Sequence, residues 1–377
     1  MSFRPNGVSG EIYIETNKTN NMKKIIISMM AVAALAACTK SEVQYEPAGE
    51  IAFAPVAKNV TKSVAGYNGE TFDGVFPTNV NLYVFANASN DAGTAWDAPY
   101  FANAKFVYNE SKDVNTAVKG AYAGDPTRYW PNVKTLKFAG YSDACGVEKN
   151  ATMDFANNVL TIPAYTQDNE NYTAEGANDL MWFPVTSAYG KSESEIPAQM
   201  KHACSWITIN VAGDDVTATY TTGEGESETT HTGWTLNSLV VKTLKHSGSV
   251  DCGSATASWT LTGEKTDEVY YDAGTTFTKE YVKYEKTANN FIVLPQTPTS
   301  LDVTYTYTSQ EATGTTPAIT LTETKNVPLT LINSLSVWSP GIHYIYNVMI
   351  TATEILIDPV VVEWTEHANN PLQKEVN

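Results

Sequence analysis

Arginine occurs only twice in this 377-residue chain, at Arg4 and Arg128, and Asp and Glu outnumber Lys and Arg by 41 to 24. The formal net charge of −17 leaves no basic stripe to neutralise phosphates, which argues against a nucleic acid partner and against charge-driven adhesion to anionic lipid. Histidine is scarce as well: His202, His231, His246, His343 and His367 form no HExxH or related ligand spacing. The four cysteines contain no CxxC pair, so no metal site is expected. GxSxG, a phosphate-binding Gly loop and GxGxxG before a helix are all missing, and with them the common nucleophile and cofactor motifs. No cofactor, metal or catalytic residue is therefore assigned, and the chain is not expected to be an enzyme. Carboxylates are abundant, but most lie in polar loops, where a solvated surface is the simplest reading.

Long apolar runs are missing with one exception, Ile25 to Ala37, which follows Lys23 and Lys24 and ends in Leu35-Ala-Ala-Cys38. Two lysines, 13 residues and small side chains before a cysteine have the anatomy of an export signal. A membrane-spanning helix needs about 20 apolar residues. Leu-Ala-Ala-Cys has the form of a bacterial lipobox, in which the Cys38 thiol receives a diacylglyceryl group and the peptide is cut before it. Met22 is the natural start, so residues 1–21 read as an upstream non-native leader, 22–37 as the signal peptide and 38–49 as a lipidated tether. Removing residues 1–37 takes away Arg4, Lys18, Lys23, Lys24, Glu11 and Glu15, which moves the net charge from −17 to −19. Of the remaining Cys145, Cys204 and Cys252, unpaired buried thiols are the simpler expectation, and a disulfide is left open.

What the chain has in quantity is alternation. Val80 to Phe85, Ile207 to Val211, Val303 to Tyr307, Ile319 to Thr322 and Tyr344 to Ile350 have period two, as strands with one buried and one wet face do. Short helices are expected only after Asn178 and over Ser192 to Met200. Hairpin tips are expected at 223–233, 262–275 and 309–317. The fold class is all-β, in antiparallel sandwiches. Pro197 to His202 marks a boundary, dividing the mature part into domains at 50–198 and 199–377.

Several blocks carry a family resemblance: Arg128-Tyr-Trp-Pro-Asn132, Leu136 to Asp143, Asp179 to Thr186, Met200 to Val211, Trp338 to Thr351 and Val360 to Trp364. In this order they resemble the fimbrillin superfamily of Bacteroidales, the lipoprotein precursors of type V pilus subunits. The resemblance implies two transthyretin-like β-sandwich domains in series and a cell-surface pilus subunit, of the structural or tip kind, that supports adhesion. It also implies anchoring in the outer membrane, removal of an N-terminal strand by a trypsin-like protease, and assembly with other pilus subunits by strand exchange. A host or bacterial surface receptor is then a further expected partner. The alternative is a lipid-anchored glycan-binding protein that never polymerises.

Residue by residue, Tyr129-Trp130 and Trp182-Phe183 read as core plugs, His202 with Cys204 as a structural pair on one strand face, and Gly341 as a turn residue. The stretch Glu50-Ile-Ala-Phe-Ala-Pro-Val-Ala-Lys58-Asn-Val-Thr-Lys62 reads as the removable strand, with Lys58 and Lys62 as processing candidates. Glu354 to Trp364 is the candidate donor, with Ile355, Ile357, Val360, Val362 and Trp364 as anchors and Pro359 as a bend between two short strands. The competing reading is that this tail completes its own domain's sheet.

Overall fold

The computed structural model describes residues 49–57, 78–90, 95–109, 121–147, 150–171, 177–191, 195–214, 220–222, 229–283, 291–310, 317–329, 337–351 and 354–363. Among the described residues there is no α-helix, only one 3-10 turn at Ala144–Gly146. The first nine strands are β1 (Ala52–Ala57), β2 (Leu82–Ser89), β3 (Trp96–Asn109), β4 (Ala121–Gly124), β5 (Leu136–Ser142), β6 (Thr152–Asp154), β7 (Val159–Thr166), β8 (Met181–Phe183) and β9 (Ile196–His202). Seven of them close a barrel in the order β1-β4-β3-β2-β5-β8-β9. Closure comes from a parallel pairing of β1 with β9, whereas the other barrel pairs are antiparallel.

The next strands are β10 (Ser205–Gly213), β11 (Tyr220–Thr222), β12 (Thr229–Leu244), β13 (Ser247–Cys252), β14 (Ala257–Thr262), β15 (Thr266–Tyr271), β16 (Thr275–Thr276), β17 (Val282–Lys283) and β18 (Phe291–Val293). The last are β19 (Ser300–Gln310), β20 (Ile319–Pro328), β21 (Ile342–Ile350) and β22 (Ile355–Glu363). One sheet runs β17-β10-β21-β22 with β18 also on β10; a second runs β11-β12-β19-β20 with β15 and β16 on β12. These two face each other across a large core that includes Ile207, Ile209, Leu236, Val303, Trp338, Tyr344 and Tyr346. A third sheet, β14-β13-β7-β6, joins strands from early and late in the chain.

Alternation separates two cores in β2 and β10, and a core from half-buried positions in β19 and β21. In β2, Tyr83 and Phe85 belong to a second cluster with Tyr141, Trp182, Trp206 and Val250, while Leu82 and Val84 on the opposite face are also buried. β10 behaves likewise, with Ile207, Ile209 and Val211 in the large core and Trp206 in the second cluster. Conversely, β20 leaves Ile319 and Leu321 exposed although its sequence alternates.

Among the described residues the two expected helices are replaced by strands. Over 196–202, Ile196, Ala198, Met200 and His202 are buried and the intervening residues are not, a period of two that suits a barrel strand and not a 3.6-residue turn. After Asn178, Met181–Phe183 is fully buried and pairs with both β5 and β9. β11 pairs antiparallel with β12 and β19 with β20, and most of the expected tips at 223–233 and 309–317 lies outside the described residues. The segment 262–275 is no hairpin: β14 pairs with β13, whereas β15 pairs with β12 and carries Tyr270 and Tyr271 into the large core. The residue 198/199 division falls inside β9, and the second cluster takes residues from both sides of it.

Candidate functional site: the seat of the first strand

β1 is a strand whose phase decides everything about its seat. Ile51, Phe53 and Pro55 are buried, and Ala52 and Ala54 between them are half-buried. Odd positions therefore point into the barrel. Full burial of a side chain such as Ile51 or Phe53 is worth about 1.5–3 kcal/mol in area terms. Phe53 lies edge-on to Phe106 at 4.9 Å and to Phe138 at 5.2 Å, and tilted against Phe183 at 5.8 Å. Trp130 meets Phe138 edge-on at 5.8 Å and extends the cluster.

The surrounding sequence is built to make this box. A Cβ on Gly140 would lie 2.6 Å from both the Phe183 ring and the Tyr83 carbonyl, so only glycine lets β5 approach that closely. Phe183 itself arrives on β8, paired with Gly140. On its backbone side β1 has partners in both directions: Ala52 and Phe53 pair with Ala123 and Tyr122, and Phe53 to Ala57 pair with Ile196 to Met200. Beyond the strand's start, Ile51 N–H donates to the Arg128 carbonyl at 2.8 Å, and Trp130 N–H donates to the Gly49 carbonyl at 3.0 Å.

The Arg128-Tyr-Trp block is thus a main-chain clamp on the entry to β1. Trp130 is a core plug, as read from the sequence, but Tyr129 is 47% exposed, its carbonyl accepting from the Tyr100 hydroxyl at 2.9 Å. The Arg128 guanidinium lies 5.7 Å from the centre of the Phe101 ring. The clamp escaped sequence reading because carbonyl and N–H groups carry no residue-type signature.

β1 ends one residue before Lys58. Lys58, Lys62 and Cys38 lie outside the described residues, as does Trp364. At the other end of the chain, β22 pairs with β21 over nine positions without a register shift, Pro359 opposite Tyr346. Pro359 therefore marks no bend. Ile355, Ile357 and Val361 pack against the large core, whereas Leu356 and Val360 are exposed. The inward set is Ile355, Ile357, Pro359 and Val361; the Val362 side chain lies outside the described residues. A proline is tolerated here because β22 has one ladder partner among the described strands.

The polar groups in the second cluster do structural work. His202 Nδ1 lies 2.8 Å from Asp179 Oδ2, both buried, while Cys204 contacts Gln167 Oε1 at 3.7 Å. Burial pushes the Cys204 and Cys252 thiols well above their ordinary range and Cys145 up to about 11. Thiols so shifted are poor nucleophiles. All three are free of disulfides, and among the described residues no cluster of His, Cys, Asp or Glu could hold a metal. Among the described residues the geometry offers a strand seat.

Residues 67–364 match the model of a family described as fimbrillin-like. The chain belongs to the fimbrillin-like family. A fimbrial protein from Bacteroides vulgatus ATCC 8482 is similar at 13% identity with a TM-score of 0.54, over 84% of this chain and 99% of that one, and shares the fold. A fimbrial assembly protein from Parabacteroides distasonis ATCC 8503 shows 13% identity and a TM-score of 0.34, over 83% and 95% of the two chains. The tip fimbrial protein Mfa3 from Porphyromonas gingivalis shows 9% identity and a TM-score of 0.35, over 75% and 94%. No curated protein matches the chain.

Proposed function

We propose that this chain is a structural or tip subunit of a cell-surface pilus that supports adhesion. It is exported as a lipoprotein precursor, anchored to the outer membrane through Cys38, and processed at Lys58 or Lys62 by a trypsin-like protease. Other pilus subunits then join it by strand exchange. Two transthyretin-like domains in series belong to the same reading, the first around the barrel and the second around the large core, with the line between them drawn at the end of β9.

One observation carries the reading: the closing strand of the barrel is a short plug with Lys58 directly behind it. β1 has ladder partners on two sides, Phe53 fills an aromatic box, and no disulfide among the described residues holds it. Cutting the chain behind Ala57 turns the plug into a bound peptide. Once it leaves, β4 and β9 present unpaired N–H and C=O groups beside an apolar slot, a template for another strand. Family membership supports the same conclusion.

The test is limited trypsin treatment of delipidated protein, with and without about the last 20 residues. Full-length protein should convert after cleavage into heat-stable ladders on a gel, and truncated protein should stay monomeric. Ladders from the truncated form would remove the C-terminal donor from the scheme. Persistent monomer from correctly cleaved full-length protein would refute polymerisation by strand exchange.

A further inference from the structure

Arg128 is the only arginine after Cys38, in a chain with 41 acidic residues, yet among the described residues no carboxylate pairs with its guanidinium. Its Nε is sealed from solvent and meets no acceptor, and the indole N–H of Trp130 is likewise buried and unmet. Tyr129 between them bridges Glu50 antiparallel, and residues two apart in such an extended segment share a side. Buried donors are nearly always paired, so this side of the clamp is short of acceptors. The Arg128 side chain as a whole is only half-buried, and its terminal nitrogens keep access to solvent.

The neighbours hold the side chain in place. A Cβ on Gly124 would come within 2.9 Å of Arg128 Cγ and 3.0 Å of the Arg128 backbone nitrogen, so glycine lets the stem lie down on the end of β4. The guanidinium then rests over Phe101, 5.7 Å from the ring centre. Phe101 is fixed in turn by Phe106 at 6.0 Å and Phe138 at 6.3 Å. On the same phenyl ring, also at 5.7 Å, sits Tyr100, which is 40% exposed and pinned by its hydroxyl to the Tyr129 carbonyl. One unanswered cation and one exposed phenol ring thus flank a single buried-edge phenyl.

We propose that Arg128 and Tyr100 form a binding site for a sugar that bears a carboxylate, a sialic or uronic acid at the end of a surface glycan. The outer edge of the guanidinium takes the carboxylate through two parallel N–H···O bonds, and the open face of Tyr100 takes the C–H face of the sugar ring. A single fork answers a single negative charge. The remainder of the chain, at net −17, repels a ligand that carries many, which excludes nucleic acids and polysulfated chains. An acidic peptide would meet Arg128 equally well but brings no flat C–H face to the phenol ring. The proposal gives the adhesion reading a ligand class and rests on it; strand exchange is not involved.

Isothermal calorimetry on uncut, delipidated full-length protein tests it, with sialyllactose, lactose and a short peptide of Asp and Gly as probes. Sialyllactose should bind, and lactose, the same molecule without its acidic sugar, at least about tenfold more weakly. This comparison needs no variant. Arg128→Gln, which keeps the backbone clamp, should weaken sialyllactose at least about tenfold, and Arg128→Lys should recover only part of the loss, because an ammonium has no fork. Tyr100→Ala should weaken it too, and Lys325→Gln, a cation on β20, should leave it unchanged; thermal unfolding checks that each variant is folded. Absence of sialyllactose binding, or binding that Arg128→Gln leaves intact, overturns the proposal. Equal binding of lactose removes the carboxylate site while leaving adhesion standing, and a peptide that binds as tightly as sialyllactose overturns the sugar. Trypsin ladders from the same preparation report separately on the pilus reading.

Discussion

Replacing Phe53 by Ala removes the ring at the centre of the barrel's aromatic box while leaving the backbone ladder of β1 untouched. Phe53 is fully buried and contacts three rings, Phe106, Phe138 and Phe183. Each such aromatic pair contributes about 0.5–1.5 kcal/mol beyond area burial, and buried Phe→Ala changes cost about 3–5 kcal/mol in total. For a unit of this size, at about 2 °C per kcal/mol, Tm of the uncut protein should fall by roughly 6–10 °C. The control is Ala54→Asp, on the half-buried outward face next to Phe53, expected to change stability by no more than about 0.5 kcal/mol. Differential scanning calorimetry measures both. A second readout follows clipping behind Ala57: the rate of β1 release, by size-exclusion of the freed peptide, should rise in Phe53→Ala and not in Ala54→Asp. The reasoning is refuted if the two variants behave alike, since β1 would then not be seated by its odd-numbered side chains.

Three further outcomes are expected. His343, stacked on Trp206 at 3.5 Å and 2.8 Å from Thr208 Oγ1, has its pKa pushed from 6.5 to about 3, by burial first and by the Lys283 charge second. Because the unfolded imidazole takes up a proton that the folded one refuses, stability is full above about pH 6.5 and falls toward pH 3 by up to about 1.4 kcal/mol per unit; urea midpoints should show it, and His343→Gln should flatten the slope. Cys145, Cys204 and Cys252 should resist iodoacetamide near neutral pH in the folded protein and react once it is unfolded in guanidinium, as mass spectrometry will count. Cys38→Ala should abolish labelling by a fatty-acid probe and leave unprocessed precursor, and labelling that persists would remove the lipid anchor.

Where sequence reading succeeded and where it failed follows from what period-two alternation encodes. In Ile207-Thr-Ile-Asn-Val211 it identified the strand but not what meets its second face, because Trp206 and Thr208 acquire their partner His343 from more than 130 residues away. In Ser192 to Met200 the acidic, serine-rich beginning hid the alternation of Ile196, Ala198 and Met200. β20 alternates plainly yet lies largely exposed, since the pattern reports the pleat and not what lies over it. The seat itself was half legible: the odd-numbered residues of β1 announced a buried face. The box around Phe53 comes from β3, β5 and β8, and no local signal joins Phe106, Phe138 and Phe183. In β22, Pro359 reads as a breaker, yet the strand runs through it, because β22 has one ladder partner among the described strands and the missing N–H costs that ladder nothing.

Why a cut should be needed at all follows from the ladders. β22 leaves nine register positions on β21 if it becomes a donor. In the seat it finds what β1 has: five positions along β9, two along β4 and the clamp at Arg128 and Trp130. Ladder for ladder the exchange is close to neutral, so what decides it is which strand is present at the higher effective concentration. While β1 remains part of the chain behind it, its effective concentration at the seat is of millimolar order, far above any second copy in solution. Cleavage between Ala57 and the barrel removes that advantage in one step, and release of the short peptide is then irreversible by dilution. Uncut chains with an intact Lys58–Lys62 segment should therefore stay monomeric even when concentrated, and a chain in which both lysines are replaced by Gln should resist trypsin there and form no ladders, while still binding nothing in place of its own Phe53.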